Sequence, residues 1–315
     1  MGKGKTIGKV VGGGLGLLVL GMAGFVGYAN ATFDGKNDFS SEPLPPLAAS
    51  TDPEVIARGK YLFWGPAHCN ACHSYVEGAA PDSIRAAPPS GGLAFAMGPI
   101  GTFYAANLTS HATGLANLTD GDIARTIRTG VRHTGQMTFF MRYSVANPAD
   151  EDMVALLSYL RTIPPVERAV PLGGFSALGK ALAIAAFPRM VPRKPAAVPY
   201  VPAGEEPSVE RGAYLAENIA LCIGCHTDFD MKTFEAKGPK AGGGQVDGGH
   251  GGDGTMEHAP PNLTSHATGV TGRLDEEAFL ARMRAGRVAP FSIMPWESFQ
   301  DTTEVDLRSI YRYLR

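Results

Sequence analysis

Cys69-Asn-Ala-Cys72-His73 and Cys222-Ile-Gly-Cys225-His226 share one pattern: two cysteines two residues apart, followed at once by histidine. These four cysteines are all that the 315-residue chain holds. Upstream, Arg58-Gly-Lys-Tyr-Leu62 matches Arg211-Gly-Ala-Tyr-Leu215 at an offset of 153 residues. Downstream, Asn107-Leu-Thr-Ser-His-Ala-Thr-Gly114 recurs unchanged at Asn262 to Gly269, offset 155. Arg128-Thr-Gly130 matches Arg284-Ala-Gly286 at 156, and Ser158-Tyr-Leu160 matches Arg312-Tyr-Leu314 at 154. A nearly constant offset over so many motifs is a tandem duplication with small insertions.

The spacing of the pentapeptide has a chemical reason. Two thiols on one helical turn can form thioethers to the two vinyl groups of one haem, while the next residue offers imidazole to the iron. A redox-active Cys-X-X-Cys needs no following His, in either copy. A shared zinc site would have to join pairs separated by 149 residues, far from ribbon spacing. Two structural disulfides would leave both histidines unexplained. The expectation is two covalently bound haem c groups, held by Cys69 and Cys72 with His73, and by Cys222 and Cys225 with His226.

The duplication predicts an all-α, loop-rich pair of domains at residues 51–167 and 208–315, each of ordinary domain size. Asp52-Pro53-Glu54 reads as a helix start, with an N-cap, a first-turn proline and an acidic residue at the positive end of the dipole. Ser208 takes the same part before Val209. Acidic starts and apolar residues at helical spacing predict helices from Leu118, from Leu274, over 150–160 and over 303–314. Residues 32–50 read as a linker. Residues 168–207 read as a proline-rich connection holding the apolar stretch Phe175 to Phe187, too short to cross a bilayer. The expectation there is a short amphipathic helix packed between domains, with an interfacial membrane helix as the alternative.

A haem iron with one His has a sixth position, and its occupant separates electron transfer from chemistry on a bound small molecule. The candidates are Met97, His111, His133, Met137 and Met141 in the first copy, and His250, Met256, His258, His266 and Met294 in the second. Met141 and Met294 each lie 68 residues after the histidine of their motif, so the duplication favours that pair. Met137 remains the rival in the first copy. His111 and His266 also match each other, but inside a polar, turn-forming octapeptide.

In this order, Arg-Gly-X-Tyr-Leu, Cys-X-X-Cys-His, Asn-Leu-Thr with Thr-Gly, Arg-Thr/Ala-Gly, then Met-Pro-Trp and a Tyr-Leu helix resemble class I cytochrome c domains. More narrowly, the pattern resembles the multihaem cytochrome c subunits of periplasmic membrane-bound alcohol, aldehyde and gluconate dehydrogenases. The resemblance implies thioethers on Cys69, Cys72, Cys222 and Cys225, and His73 with Met141 and His226 with Met294 as axial pairs. It implies an electron carrier and not an enzyme, relaying single electrons between a periplasmic or membrane donor and a respiratory-chain acceptor. The partners would be a dehydrogenase, a cytochrome complex or a terminal oxidase. The alternative is the electron-transfer subunit of a dehydrogenase whose catalytic subunit is a separate chain. Those subunits carry three haem domains and commonly Met-Pro-Tyr/Trp, whereas this sequence has two copies and Met141-Arg142-Tyr143 in the first. A dihaem peroxidase-type enzyme fits least, because both sixth positions have a Met candidate and no cysteine is left to ligate a catalytic haem.

Residues 1–31 carry Lys3, Lys5 and Lys9 before an uncharged run of 20 residues, Val10 to Ala29. That length suits a transmembrane helix with its lysines in the cytoplasm. Ala29-Asn30-Ala31 resembles a signal-peptidase site, so a cleaved export signal is the alternative. Both readings send the domains to the periplasm, anchored to the inner membrane or soluble there. The formal net charge of −2 and the lack of a basic patch argue against a nucleic-acid partner.

Overall fold

The computed structural model describes residues 3–74, 85, 87–144, 147–186, 192, 196–230, 235–244, 247–248, 257–289 and 292–315. Helix α1, Lys3–Lys36, leads into an extended segment that runs over the first copy. The first copy holds α2 (Pro53–Trp64), α3 (Asn70–His73), strands β1 (Ala94–Ala96) and β2 (Gly101–Tyr104), α4 (Asp120–Thr129), α5 (Phe139–Ser144) and α6 (Asp150–Thr162). The connection carries β3 (Gly173–Phe175) and α7 (Ala177–Ala186). The second copy holds α8 (Val209–Tyr214), α9 (Cys222–Cys225), β4 (Asp247–Gly248), β5 (Glu257–His258), α10 (Val270–Arg273), α11 (Glu276–Arg284), α12 (Trp296–Phe299) and α13 (Glu304–Leu314).

The helix starts sit where the capping residues place them. Asp52 accepts the Glu54 amide at 2.8 Å ahead of α2, and Ser208 accepts the Arg211 amide at 3.1 Å ahead of α8. Thr119 and Asp122 form a reciprocal capping box on α4, satisfying two otherwise orphaned backbone donors.

The expectation of an all-α chain needs a correction. Strands β1, β2 and β3 form a three-stranded antiparallel sheet in that order, with Phe95 opposite Phe103 and Thr102 opposite Gly174. Strands of three or four residues are too short to display a two-residue alternation. The pairing also relies on glycine: Gly173 has φ +61°, and a Cβ on Gly101 would stand 2.2 Å from the Gly174 carbonyl.

In each copy the first and last helices cross at a glycine. A Cβ on Gly59 would stand 1.8 Å from the Ala155 carbonyl oxygen, and one on Gly212 would stand 1.9 Å from that of Ser309. Only a residue without a side chain allows α2 to meet α6, and α8 to meet α13, this closely. Around these crossings Leu62, Phe63, Met153 and Leu157 from the first copy share one hydrophobic cluster with Leu215, Ile219, Phe299, Leu307 and Ile310 from the second.

The two copies also exchange polar contacts with reciprocal geometry. The Tyr61 hydroxyl donates to Asp306 Oδ2 at 2.6 Å and accepts the Thr303 amide at 3.2 Å. The Tyr214 hydroxyl donates to Asp152 Oδ2 at 2.6 Å and accepts the Ala149 amide at 3.2 Å. Each carboxylate is also held by the arginine of its own copy: Arg58 on Asp152 at 2.5 Å, and Arg211 on Asp306 at 2.9 and 3.0 Å. The repeated Arg-Gly-X-Tyr-Leu is therefore an assembly motif. Its Arg ties its own last helix, its Gly lets the two helices cross, and its Tyr grips the last helix of the other copy.

Helix α7 forms within the apolar stretch of the connection, but it does not pack between the copies. It lies against the end of α1 and beside the sheet of the first copy. Phe33 meets Phe175 edge-on at 5.4 Å, and Lys180 pairs with Asp34 at 2.9 Å.

Candidate functional site

The residue before each first cysteine has left-handed backbone, His68 at φ +41° and Leu221 at φ +55°. Two non-glycine residues strained at matching positions turn the chain sharply into a single helical turn. Within that turn the His73 amide bonds to the Cys69 carbonyl at 3.1 Å, and the His226 amide to the Cys222 carbonyl at 2.9 Å. Each cysteine pair thus lies on one turn with its histidine at the end. None of the four cysteines is in a disulfide. Burial pushes the Cys69 thiol up to about 12, with Cys72 adding to the shift, and pushes Cys72 up to about 11. Burial does the same to Cys222, up to about 12. Among the described residues no group of three or more His, Cys, Asp and Glu side chains gathers as a metal site.

Both histidines are oriented alike. His73 Nδ1–H donates to the Ala106 carbonyl at 2.7 Å, and His226 Nδ1–H to the Pro261 carbonyl at 2.7 Å. A ring whose Nδ1 donates in this way presents a bare Nε2 lone pair, the usual second-sphere device for a metal-binding imidazole. Burial lowers both pKa values despite the backbone contact, favouring the neutral ring.

The accepting carbonyls come just before the repeated octapeptide, and its side chains explain its sameness. Asn107 Oδ1 accepts the Thr109 amide at 2.9 Å, while its Nδ2 donates to Thr113 Oγ1 and to the Val166 carbonyl. Asn262 Oδ1 accepts the Thr264 amide at 2.8 Å and its Nδ2 donates to Thr268 Oγ1 at 3.2 Å. Each asparagine closes the loop whose leading carbonyl holds the histidine. Sequence reasoning missed this role, although the unchanged octapeptide was its signal. His111 and His266 bond within the same loops, Nδ1 to Thr113 and Thr268 hydroxyls at 2.9 Å.

The methionine segments follow glycines at matching places, Gly130 at φ +78° after α4 and Gly286 at φ +67° after α11. Met141 lies on α5, and a Cβ on Gly130 would stand 2.9 Å from Arg142 Cα. The neighbouring Phe140 stacks on Phe95 at 4.2 Å and meets Phe103 edge-on at 5.7 Å. The small sheet therefore backs the Met141 helix. In the second copy Arg287 does the corresponding work: it pairs with the buried Glu297 at 2.6 and 2.8 Å, donates to the Met294 carbonyl at 3.2 Å and bonds the Ser292 carbonyl. Met294 packs against the shared core. Met137 packs instead with Phe33, Phe175, Ala183 and Ile184, beside α1 and α7.

Met97 precedes a short 3₁₀ turn and His133 is exposed. His258 lies on β5, whereas His250 and Met256 lie outside the described residues. A buried hydrogen bond joins the two sites across the copies. Ser298 Oγ, on α12 and four residues after Met294, donates to Asn70 Oδ1 inside the first cysteine pair at 2.8 Å, and both residues are buried.

No protein-family model matches the chain. Over 284 residues, 83% of its length, it is 31% identical to the gluconate 2-dehydrogenase cytochrome c subunit of Pantoea cypripedii, covering 59% of that protein. Over 87% of its length it is 25% identical to the fructose dehydrogenase cytochrome subunit of Gluconobacter japonicus, covering 55% of it. Over 56% of its length it is 29% identical to a diheme cytochrome c-type protein of Cereibacter sphaeroides, covering 61% of it. The chain thus resembles cytochrome c subunits of dehydrogenases and a dihaem cytochrome c, and spans little more than half the length of these curated relatives.

Proposed function

We propose that this chain is a dihaem cytochrome c of two tandem domains, 51–167 and 208–315, that carries single electrons on the periplasmic side of a bacterial inner membrane. The observation that carries the reading is the paired orientation of His73 and His226, each with Nδ1 engaged and Nε2 open one turn from two thiols. That donor set fits a covalently attached haem: Cys69 and Cys72, or Cys222 and Cys225, as thioethers, and the adjacent imidazole as axial ligand. Haem c, when bound, supplies a one-electron ferric/ferrous couple.

The chain's own residues do the rest. Ala106 and Pro261 fix the imidazole planes. Met141 and Met294 would supply the second protein ligand to each iron, while Met137 packs beside α1 and α7. Irons held in this way would have no position open to a substrate, which would suit a carrier. Tyr61, Tyr214 and the Asn70–Ser298 contact hold the two sites in one fixed relation, as a relay requires. The long similarity to a gluconate 2-dehydrogenase cytochrome c subunit favours a second, more specific reading, in which a membrane-bound dehydrogenase with a separate catalytic subunit is the electron donor. Helix α1 is the proposed anchor: its span Val11–Lys36 is long and apolar enough to cross a bilayer, with a mean hydropathy of 1.7 over its 18-residue apolar window.

The test is optical. Haem quantification on the purified chain is expected to give two c-type haems. Ferric protein should show the near-infrared sulfur-to-iron band, halved in Met141→Ala and in Met294→Ala. One haem per chain overturns the dihaem reading. A band that survives Met141→Ala but is halved by Met137→Ala reassigns the first ligand.

A further inference from the structure

Helix α7 turns an apolar face outward. Its outward residues Leu178, Leu182, Ala185 and Ala186 form a stripe at i, i+4, i+7 and i+8 without one polar member, and Ala177 beside it is also exposed. Leu178 and Leu182 are each 47% exposed, and Leu172, just before the helix, is 68% exposed. The single charge on α7, Lys180, is turned the other way, onto both oxygens of Asp34 and over the Phe33 ring at 5.6 Å.

Its position identifies what covers this face. The apolar run of α1 ends at Ala29 after 20 residues, about 30 Å of helix at the standard rise, which matches the hydrocarbon thickness. Helix α7 joins α1 at that level: Asn30 Nδ2 donates to the Ala177 carbonyl at 3.1 Å, and the ion pair to Asp34 lies one turn further on. Ala29, Phe33 and Asn37 form the buried stripe on this end of α1. Beyond it, Phe39 bonds Gly135 through the backbone at 2.8 Å, so α1 enters the first copy without a loose joint. An unpaired apolar face fixed at the height where the spanning run ends lies at the bilayer boundary.

We infer that α7 is a second membrane contact, inserting Leu178 and Leu182 among the lipid chains at the outer interface, so that the haem-bearing part of the chain is held at one height and orientation. The inference rests on the reading of α1 as an anchor. It extends that reading from tethering to orientation: one spanning helix leaves rotation free, and an apolar face docked beside it does not.

The test places the full holo-chain in phosphatidylcholine nanodiscs doped with a phospholipid bearing a photoactivatable diazirine near the ester end of its acyl chain. Labelled peptides are read by mass spectrometry. The expected result is label on α1 and on residues 172–186, with the second lost by about tenfold in Leu178→Glu/Leu182→Glu while α1 stays labelled. Both leucines are surface residues, so unchanged Soret and far-UV spectra certify the variant as folded. Label on α1 alone overturns the inference and leaves the anchor standing. Label on neither, or a mature chain that begins after Ala29, removes the anchor reading and this inference with it. Residues 172–186 shielded only by a co-purifying protein would assign the face to a protein partner and refute the lipid contact.

Discussion

Tyr61 and Tyr214 make the same two hydrogen bonds across the copies, yet removing their hydroxyls should not cost the same. In Tyr61→Phe, Asp306 loses one donor but keeps two from Arg211, at 2.9 and 3.0 Å. The Thr303 amide is on an exposed residue, so water replaces the lost acceptor. The loss is one hydrogen bond to a charged group with nothing orphaned, about 1.5 kcal/mol. In Tyr214→Phe, Asp152 keeps Arg58 on Oδ1 only, and Oδ2 is left without a partner on a side chain with 0% exposure. The Ala149 amide, on a residue 1% exposed, is orphaned as well. Two unsatisfied buried groups raise the cost to about 3 kcal/mol. Burial and the facing carboxylate push both phenol pKa values up, so both hydroxyls remain donors across the working pH range. Guanidinium titrations of the holo-chain, followed by far-UV dichroism and Soret absorbance at unchanged slope, should place Tyr214→Phe below Tyr61→Phe, itself below wild type. Equal losses, or the reverse order, would refute the partner accounting and with it the asymmetric burial of the two contacts.

Three other outcomes follow from the same geometry. Gly59→Ala and Gly212→Ala should each destabilise by about 3 kcal/mol, because the added carbon meets a backbone oxygen; a wild-type denaturation midpoint would mean the helices do not cross so closely. Asn107→Ala should cost more than Asn262→Ala, within about 1–2 kcal/mol for each, since Asn107 also holds the Val166 carbonyl; thermal melts of the two variants decide the order. Burial raises the Glu217 carboxyl pKa, but hydrogen bonds from Lys240 and Tyr313 outweigh it and leave a net lowering. Its contribution, under about 1 kcal/mol at so exposed a site, is therefore present above the ordinary Glu value of about 4.3. It disappears as pH falls through the lowered folded value. The melting difference between wild type and Glu217→Gln should vanish in acid; a difference that grows there contradicts the sign.

Much of the secondary structure was legible because its signals are local. Asp52, Pro53, Ser208 and the acidic first turns act within a few residues of themselves, so capping chemistry located the helix starts. The sheet was not legible. Its third strand comes from the connection, 70 to 74 residues from its partners in β2 (Gly101 with Phe175, offset 74; Phe103 with Gly173, offset 70), and strands this short carry no period. The fate of α7 was equally hidden: its composition predicts an apolar helix, but only its packing on Asn30 and Asp34 places it beside α1.

The sequence by itself carried the proposed chemistry and its twofold repeat, because Cys-X-X-Cys-His and the distance to Met141 and Met294 are written along one chain and repeated in it. What Arg-Gly-X-Tyr-Leu is for was decided only by the tertiary structure. Its Tyr reaches a carboxylate 245 residues away in one direction and 62 in the other, and no local pattern encodes a partner that distant. The same holds for the octapeptide, whose sameness was visible at once but whose purpose lies in a carbonyl 33 and 35 residues from the histidine that it holds. Local propensity and covalent spacing are properties of neighbours along the chain, whereas the relation between the two sites is a property of packing.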